Sequence, residues 1–140
     1  PGATFFDCDL DCHFGNPSPD WGVQDDWTDD PFLDVDDVDG FGPEQTNVSE
    51  PQPGSYRFVA HYYDDTYDGS FPQGTNATVE LLSYGTVVAT FGPVNLPKRN
   101  WVWEVVDVVW PPQGGTLQYT EINNTYPVAQ SAVAACGLWP

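Results

Sequence analysis

The sequence predicts an all-β fold, an antiparallel β-sandwich of the jelly-roll or immunoglobulin-like type, formed by residues 1–140 as a single domain. Three observations predict it. Turn-forming Pro, Gly, Asn and Asp recur at short intervals, no segment keeps a helical period over three turns, and the second half contains short runs with period-two alternation. Short strands separated by turn signals are typical of sandwiches and barrels.

The composition divides this domain into three parts. Residues 1–54 are acidic, loop-rich and the expected calcium-binding part, with at most short strands near residues 3–6 and 47–48. Residues 55–122 carry the main strands, and residues 123–140 form an apolar tail, in which residues 128–136 are either a short helix or an edge strand. A first part with such long acidic loops needs a cross-link or a bound ion to hold it in a compact fold. Calcium and the cysteines are the candidates.

Five main strands are predicted, at residues 55–63, 77–83, 86–91, 101–110 and 116–122. The second and third form a hairpin around Gly85, which can take the positive φ of a tight turn. The fourth is apolar on both faces, which predicts a central strand. Asn123 and Asn124 are interpreted as the end of the fifth.

The charge excludes two classes of partner. The chain has 21 Asp and Glu against 3 Lys and Arg, a formal net charge of -18. Arg57, Lys98 and Arg99 cannot form the basic face that nucleic acid requires, and no apolar run is long enough for membrane insertion. Six Trp, seven Tyr and eight Phe argue against a disordered acidic tail, so we expect a folded domain.

A dense acidic run predicts calcium binding. Carboxylates this close repel one another unless a hard cation lies among them, and calcium takes oxygen ligands on tight Gly-containing loops. The spacing differs from an EF-hand, because Gly40 falls one place late. A solvated acidic loop is the alternative. The predicted ligands are Asp34, Asp36, Asp37, Asp39 and Glu44, with Asp29 and Asp30 from a second cluster.

Three cysteines, Cys8, Cys12 and Cys136, are an odd number. In an oxidising compartment Cys8 and Cys12 are the local pair, and the alternative joins Cys136 to one of them. Zinc on Cys8, Cys12 and His13 is disfavoured, since a fourth ligand at familiar spacing is missing. The chain starts at Pro1 and contains no methionine, which predicts a processed mature fragment.

Several aromatic residues near acidic loops are candidates for stacking on sugar rings, with calcium fixing the hydroxyls. Ordinary packing is the alternative. The candidates for sugar contact are Trp21, Trp27, Tyr63 and Tyr67. N-glycosylation triplets begin at Asn47, Asn76 and Asn123, and glycosylation is left open because chance matches are common. With no HExxH or GxSxG motif and only two histidines, we expect no enzyme.

Four segments, taken in order, resemble a known domain. They are residues 33–44 (LDVDDVDGFGPE), 53–58 (PGSYRF), 59–63 (VAHYY) and 77–81 (ATVEL). Together they resemble the YfaP-like domain of secreted bacterial surface proteins, in which an Asp-rich loop, a Gly-Pro-Glu turn and a strand ending in Tyr-Tyr follow in this order. The resemblance covers roughly residues 1–92. It implies an extracellular β-sandwich with calcium, and no known activity.

One departure of this sequence from the pattern of the family predicts that copies of the chain assemble with one another. Such domains begin with an Asp-Leu-Asp-Leu-His strand before a Pro-Gly turn, whereas this chain starts at Pro1-Gly2 and carries a similar run, residues 9–13, in the next segment. A missing strand leaves an open edge that a neighbouring copy can fill.

Two functions of different class follow from these patterns. The first is an extracellular or cell-surface calcium-binding structural subunit, a homo-oligomer or homopolymer that assembles into a filament or surface layer. The second is a calcium-dependent carbohydrate-binding module of a secreted protein.

Overall fold

The computed structural model describes residues 7–37, 42–63, 74–110 and 117–129. These residues form seven strands, all paired antiparallel, and no helix. The all-β prediction is therefore confirmed. The strand predicted at residues 3–6 and the tail beyond Ala129 lie outside the described residues.

The chain divides into two compact units. The first runs to Gln52 and resumes at Ala129, and the second is Pro53–Val128. The division falls close to the composition boundary predicted after residue 54. In the first unit, β1 (Pro31–Val35) pairs with β2 (Gln45–Val48). Only residues 47–48 of this ladder were predicted as a strand, because β1 lies in the acidic stretch interpreted as a loop.

The second unit is a sandwich of two sheets. One sheet has the order β3-β6-β7, from β3 (Gly54–Tyr62), β6 (Trp101–Trp110) and β7 (Gln118–Pro127). The other is the hairpin of β4 (Thr75–Ser83) and β5 (Thr86–Leu96). As predicted, β6 is central, since it pairs on both sides.

The core of this unit lies between its two sheets. β6 contributes four of the seven side chains of the buried cluster, and the hairpin of β4 and β5 supplies the opposing wall. The buried cluster consists of Leu81, Phe91, Leu96, Trp103, Val105, Val106 and Val108.

Two strands continue beyond the residues at which they were predicted to end. β5 passes Gly92 and Pro93 where it was predicted to end at Phe91, and β7 passes Asn123 where it was predicted to end at Ile122. In both cases the pairing register shifts at that point and then resumes. The turn-forming residues therefore mark β-bulges inside strands instead of strand ends.

Candidate cation and ligand-binding surfaces

Asp29 is a buried carboxylate just before β1, only 2% exposed. Its Oδ2 accepts hydrogen bonds from the Val23 amide at 2.9 Å and from Gln52 Nε2 at 3.0 Å. Gly22 takes φ 62° and approaches so closely that a Cβ there would lie 3.0 Å from Asp29 Cγ. The other oxygen, Oδ1, is buried and has no hydrogen-bond donor among the described residues. A buried carboxylate in this state can accept a cation.

The carboxylates around Asp29 are used by the loop backbone. Asp30 Oδ1 accepts from the Trp21 amide at 2.6 Å, and Asp26 Oδ1 accepts from the Thr28 amide and hydroxyl at 3.1 and 2.6 Å. The Thr28 hydrogen bonds hold the pKa of Asp26 below its ordinary value. These contacts fix the loop and leave Asp29 as its buried acidic group.

The predicted calcium ligands after β1 are brought together only in part. Partial burial raises the pKa of Glu44, and the negative charges of Asp36 and Asp37 raise it further, so these three carboxylates share one electrostatic neighbourhood. Asp37 Oδ2 also accepts from the Gly42 amide. Asp34 lies within β1 and accepts from Asn47 Nδ2 at 3.1 Å. Asp39 lies outside the described residues.

Within the described ranges, no three His, Cys, Asp or Glu side chains converge with the geometry of a metal site. The carboxylate oxygens of Asp29 and Glu44 suit a hard cation such as calcium. Calcium also takes backbone carbonyls and water, so an incomplete carboxylate set is compatible with it.

The cysteine pairing corrects one prediction. Cys8 is disulfide-bonded, whereas Cys12 is a free thiol whose Sγ lies 3.4 Å from the Pro17 carbonyl oxygen. The local Cys8–Cys12 bridge is therefore wrong. Burial raises the pKa of the Cys12 thiol, which favours its protonated form. The third cysteine of the sequence, Cys136, lies outside the described residues.

The four sugar-contact candidates differ in their surroundings. Trp27 is 78% exposed, whereas Trp21 is partly buried and donates from Nε1 to the Leu10 carbonyl at 2.6 Å. Tyr63 belongs to the second unit and packs edge-on against His61, with ring centroids 5.9 Å apart. Tyr67 lies outside the described residues. Trp27 is thus the described candidate with an open ring face.

Trp27 lines a groove of about 460 Å³ in the first unit. Its walls combine two aromatic rings with a carboxylate, an amide and two hydroxyls. The lining residues are Ser18, Trp27, Asp30, Phe32, Asn47 and Ser49. The sequence pattern singled out Trp27 and Asp30 as site residues and Asn47 only as a glycosylation candidate, and it did not single out Phe32 of β1.

The glycosylation candidates all lie in strands. Asn47 is in β2, Asn76 is in β4, and Asn123 is in β7. Asn76 Oδ1 accepts from Asn95 Nδ2 at 3.1 Å, and Asn123 Oδ1 accepts from Trp103 Nε1 at 3.1 Å. Their glycosylation stays a prediction.

A polar network on the β3-β6-β7 sheet was missed by the sequence reasoning. Arg57 donates two parallel hydrogen bonds to Asp107, from Nε to Oδ1 and from Nη2 to Oδ2, each 2.8 Å long. Its third nitrogen, Nη1, lies 3.0 Å from Glu104 Oε1. Asn124 Nδ2 and the Tyr126 hydroxyl donate to Glu104 at 3.1 and 3.3 Å. Acidic residues within an otherwise apolar strand were the available signal.

His61 in β3 has the character of a packed ring. Burial lowers its pKa to about 4, which keeps the imidazole neutral at physiological pH. The expectation that the chain is no enzyme stays a prediction.

No family model, curated protein or solved structure matches this chain. The resemblance to the YfaP-like domain accordingly stays a prediction. Over the described residues there is no helix of the length and apolarity that crossing a bilayer requires.

Proposed function

We propose that this chain is an extracellular structural module whose first unit is stabilised by calcium and which assembles with further copies of itself. One observation carries the calcium proposal: Asp29 is buried, and one of its oxygens has no hydrogen-bond donor among the described residues, in a unit that contains 14 Asp and Glu and no Lys or Arg. No Lys or Arg of that unit is therefore present to neutralise it.

The physical reason is the cost of unpaired negative charge. Burying an ionised carboxylate without a partner costs several kcal/mol. Fourteen like charges in one small unit add self-repulsion. A divalent cation offsets both, and carboxylate oxygens such as those of Asp29 and Glu44 favour calcium over zinc. The extracellular placement is supported by the Cys8 disulfide, since such bonds persist in oxidising compartments.

Assembly is supported by the strand edges of the second unit. Among the described strands, β3 and β7 each pair with β6 alone, and β4 and β5 pair only with each other. Strand edges of this kind can accept a strand from another copy. Calcium would also lower the repulsion between copies that a net charge of -18 creates.

A calcium titration followed by thermal unfolding tests the proposal. We expect calcium to raise the free energy of unfolding by about 2.7 kcal/mol when its free concentration is 100 times the Kd. Asp29→Asn should lose most of this gain. Asp9→Asn, which removes one exposed carboxylate from the same unit, should keep it. An equal response to magnesium or to NaCl at matched ionic strength would indicate charge screening and contradict a calcium site.

Electron microscopy tests the assembly part separately. We expect filaments or layers with millimolar calcium, and their shortening after chelation. Dispersed monomers under both conditions would contradict assembly and leave the calcium proposal to the titration.

A further inference from the structure

The groove beside Trp27 has the composition of a ligand site. Two large apolar rings, Trp27 and Phe32, are 78% and 51% exposed and line the same concavity. Single exposed apolar residues are ordinary on protein surfaces. Two aromatic rings in one groove, together with a carboxylate, an amide and two hydroxyls, match the mixture of apolar walls and few polar groups found in small-molecule sites.

Two of the four polar side chains of the groove, Asn47 and Asp30, are held by hydrogen bonds within the protein. Asn47 donates from Nδ2 to Asp34 at 3.1 Å and accepts at Oδ1 from Gln45 Nε2 at 3.1 Å. Asp30 is fixed through Oδ1 by the Trp21 amide. Side chains oriented in this way lose little conformational entropy on binding, which favours affinity.

These features fit a saccharide. A pyranose ring presents an apolar C–H face that stacks on an indole and a rim of hydroxyls that hydrogen-bond to carboxylate, amide and Ser groups. The charge of the first unit restricts the class of saccharide that the groove can bind. A unit with 14 carboxylates and no Lys or Arg repels uronic acids and sulfated or phosphorylated sugars.

We propose that this groove binds a neutral saccharide, with one sugar ring stacked on Trp27 and its hydroxyls bonded to Asp30, Ser18 and Ser49. The site goes beyond the proposed structural function and is separate from Asp29 Oδ1, the oxygen assigned to calcium. It would make the module an adhesive one, able to hold a polysaccharide while the second unit supplies the sheet edges.

The test uses the full chain in millimolar calcium, on an array of neutral, acidic and amino-sugar glycans, followed by calorimetry with the best neutral oligosaccharide. The protein is produced without N-glycosylation, because Asn47 begins an N-glycosylation triplet and lines the groove. We expect binding to neutral glycans, and about tenfold or greater weakening in Trp27→Ala.

Tyr84→Asn is the matched control. It removes a ring that is 92% exposed from a turn of the second unit, and Asn suits the positive φ at that position. It should bind as the wild type does. Trp27→Phe, which keeps an aromatic face, should retain part of the affinity, and unchanged thermal unfolding of each variant shows that it is folded.

Three results would overturn the inference. They are the absence of binding to any neutral glycan at millimolar concentration, equal affinities of the wild type and Trp27→Ala, and preferential binding of a Lys-rich peptide that Trp27→Ala abolishes. The last result would assign the groove to a cationic peptide instead.

Discussion

Arg57 is the residue on which the polar network of the β3-β6-β7 sheet depends. Its guanidinium bonds Asp107 through two nitrogens and reaches Glu104 through the third. The hydrogen bonds from Arg57 are the main reason that the pKa of Asp107 lies below its ordinary value. A planar fork of donors suits this geometry, whereas a Lys ammonium cannot reproduce it.

We expect Arg57→Ala to lower the free energy of unfolding by about 1 kcal/mol, since the network is partly exposed and such pairs contribute modestly. Because the folded pKa of Asp107 is depressed, its contribution is fully present above the unfolded pKa of about 3.9 and is lost as the pH falls through the folded value. The difference between wild type and variant should therefore shrink below about pH 4. Chemical denaturation at several pH values measures it.

Lys98→Ala is the control, since it removes the same charge from an exposed position. It should change the free energy of unfolding by less than about 0.5 kcal/mol. Equal effects of the two substitutions would mean that total charge, not the bonded network, determines the loss.

Strand β6 illustrates how far the sequence predicts the elements. Its bounds, Trp101–Trp110, and its central place were predicted because valines and tryptophans occupy both faces. The bulge at Asn123 was not, since the structure fixes it by an indole hydrogen bond from Trp103, twenty residues away in sequence. Strand β1 was missed because its pairing with β2 is a long-range contact that no local pattern records.

The candidate site was predictable to the same limited extent. The sequence predicted Glu44 as a ligand together with Asp36 and Asp37, and the structure places its carboxylate within electrostatic reach of both. The burial of Asp29 was beyond local reasoning. It depends on the close approach of Gly22 and on a hydrogen bond from Gln52, 23 residues further along the chain.

At the level of the element, Val105→Ala should lower the free energy of unfolding by about 2–3 kcal/mol, because Val105 is fully buried in the core and its truncation leaves a cavity. Val109→Ala makes the same chemical change in the same strand, where the side chain is 44% exposed, and should cost about 0.5 kcal/mol or less. Urea denaturation of both variants measures the difference. Similar losses would contradict the placement of the core between the two sheets.

The two units of the molecule differ sharply in charge. The first carries all but seven of the 21 acidic residues, and the second carries those seven together with all three basic ones. The second unit also holds the buried apolar cluster, with seven fully or nearly fully buried side chains. It follows that apolar burial stabilises the second unit, whereas the proposed calcium would stabilise the first by neutralising its carboxylates.

Hydrogen exchange read by mass spectrometry should separate these two sources of stability. On calcium addition, we expect amides of β1 and β2 to exchange up to about 100-fold more slowly at a free calcium concentration 100 times the Kd, because local opening then requires release of the ion. Amides of β6 should exchange at an unchanged rate, since the buried cluster described around it consists of apolar side chains. Asp29→Asn should abolish the slowing in β1 and β2 and leave β6 unaffected. A uniform slowing of amide exchange in all strands would mean that calcium acts by screening the net charge. If exchange slowed in no strand, the proposal that calcium stabilises the first unit would be wrong.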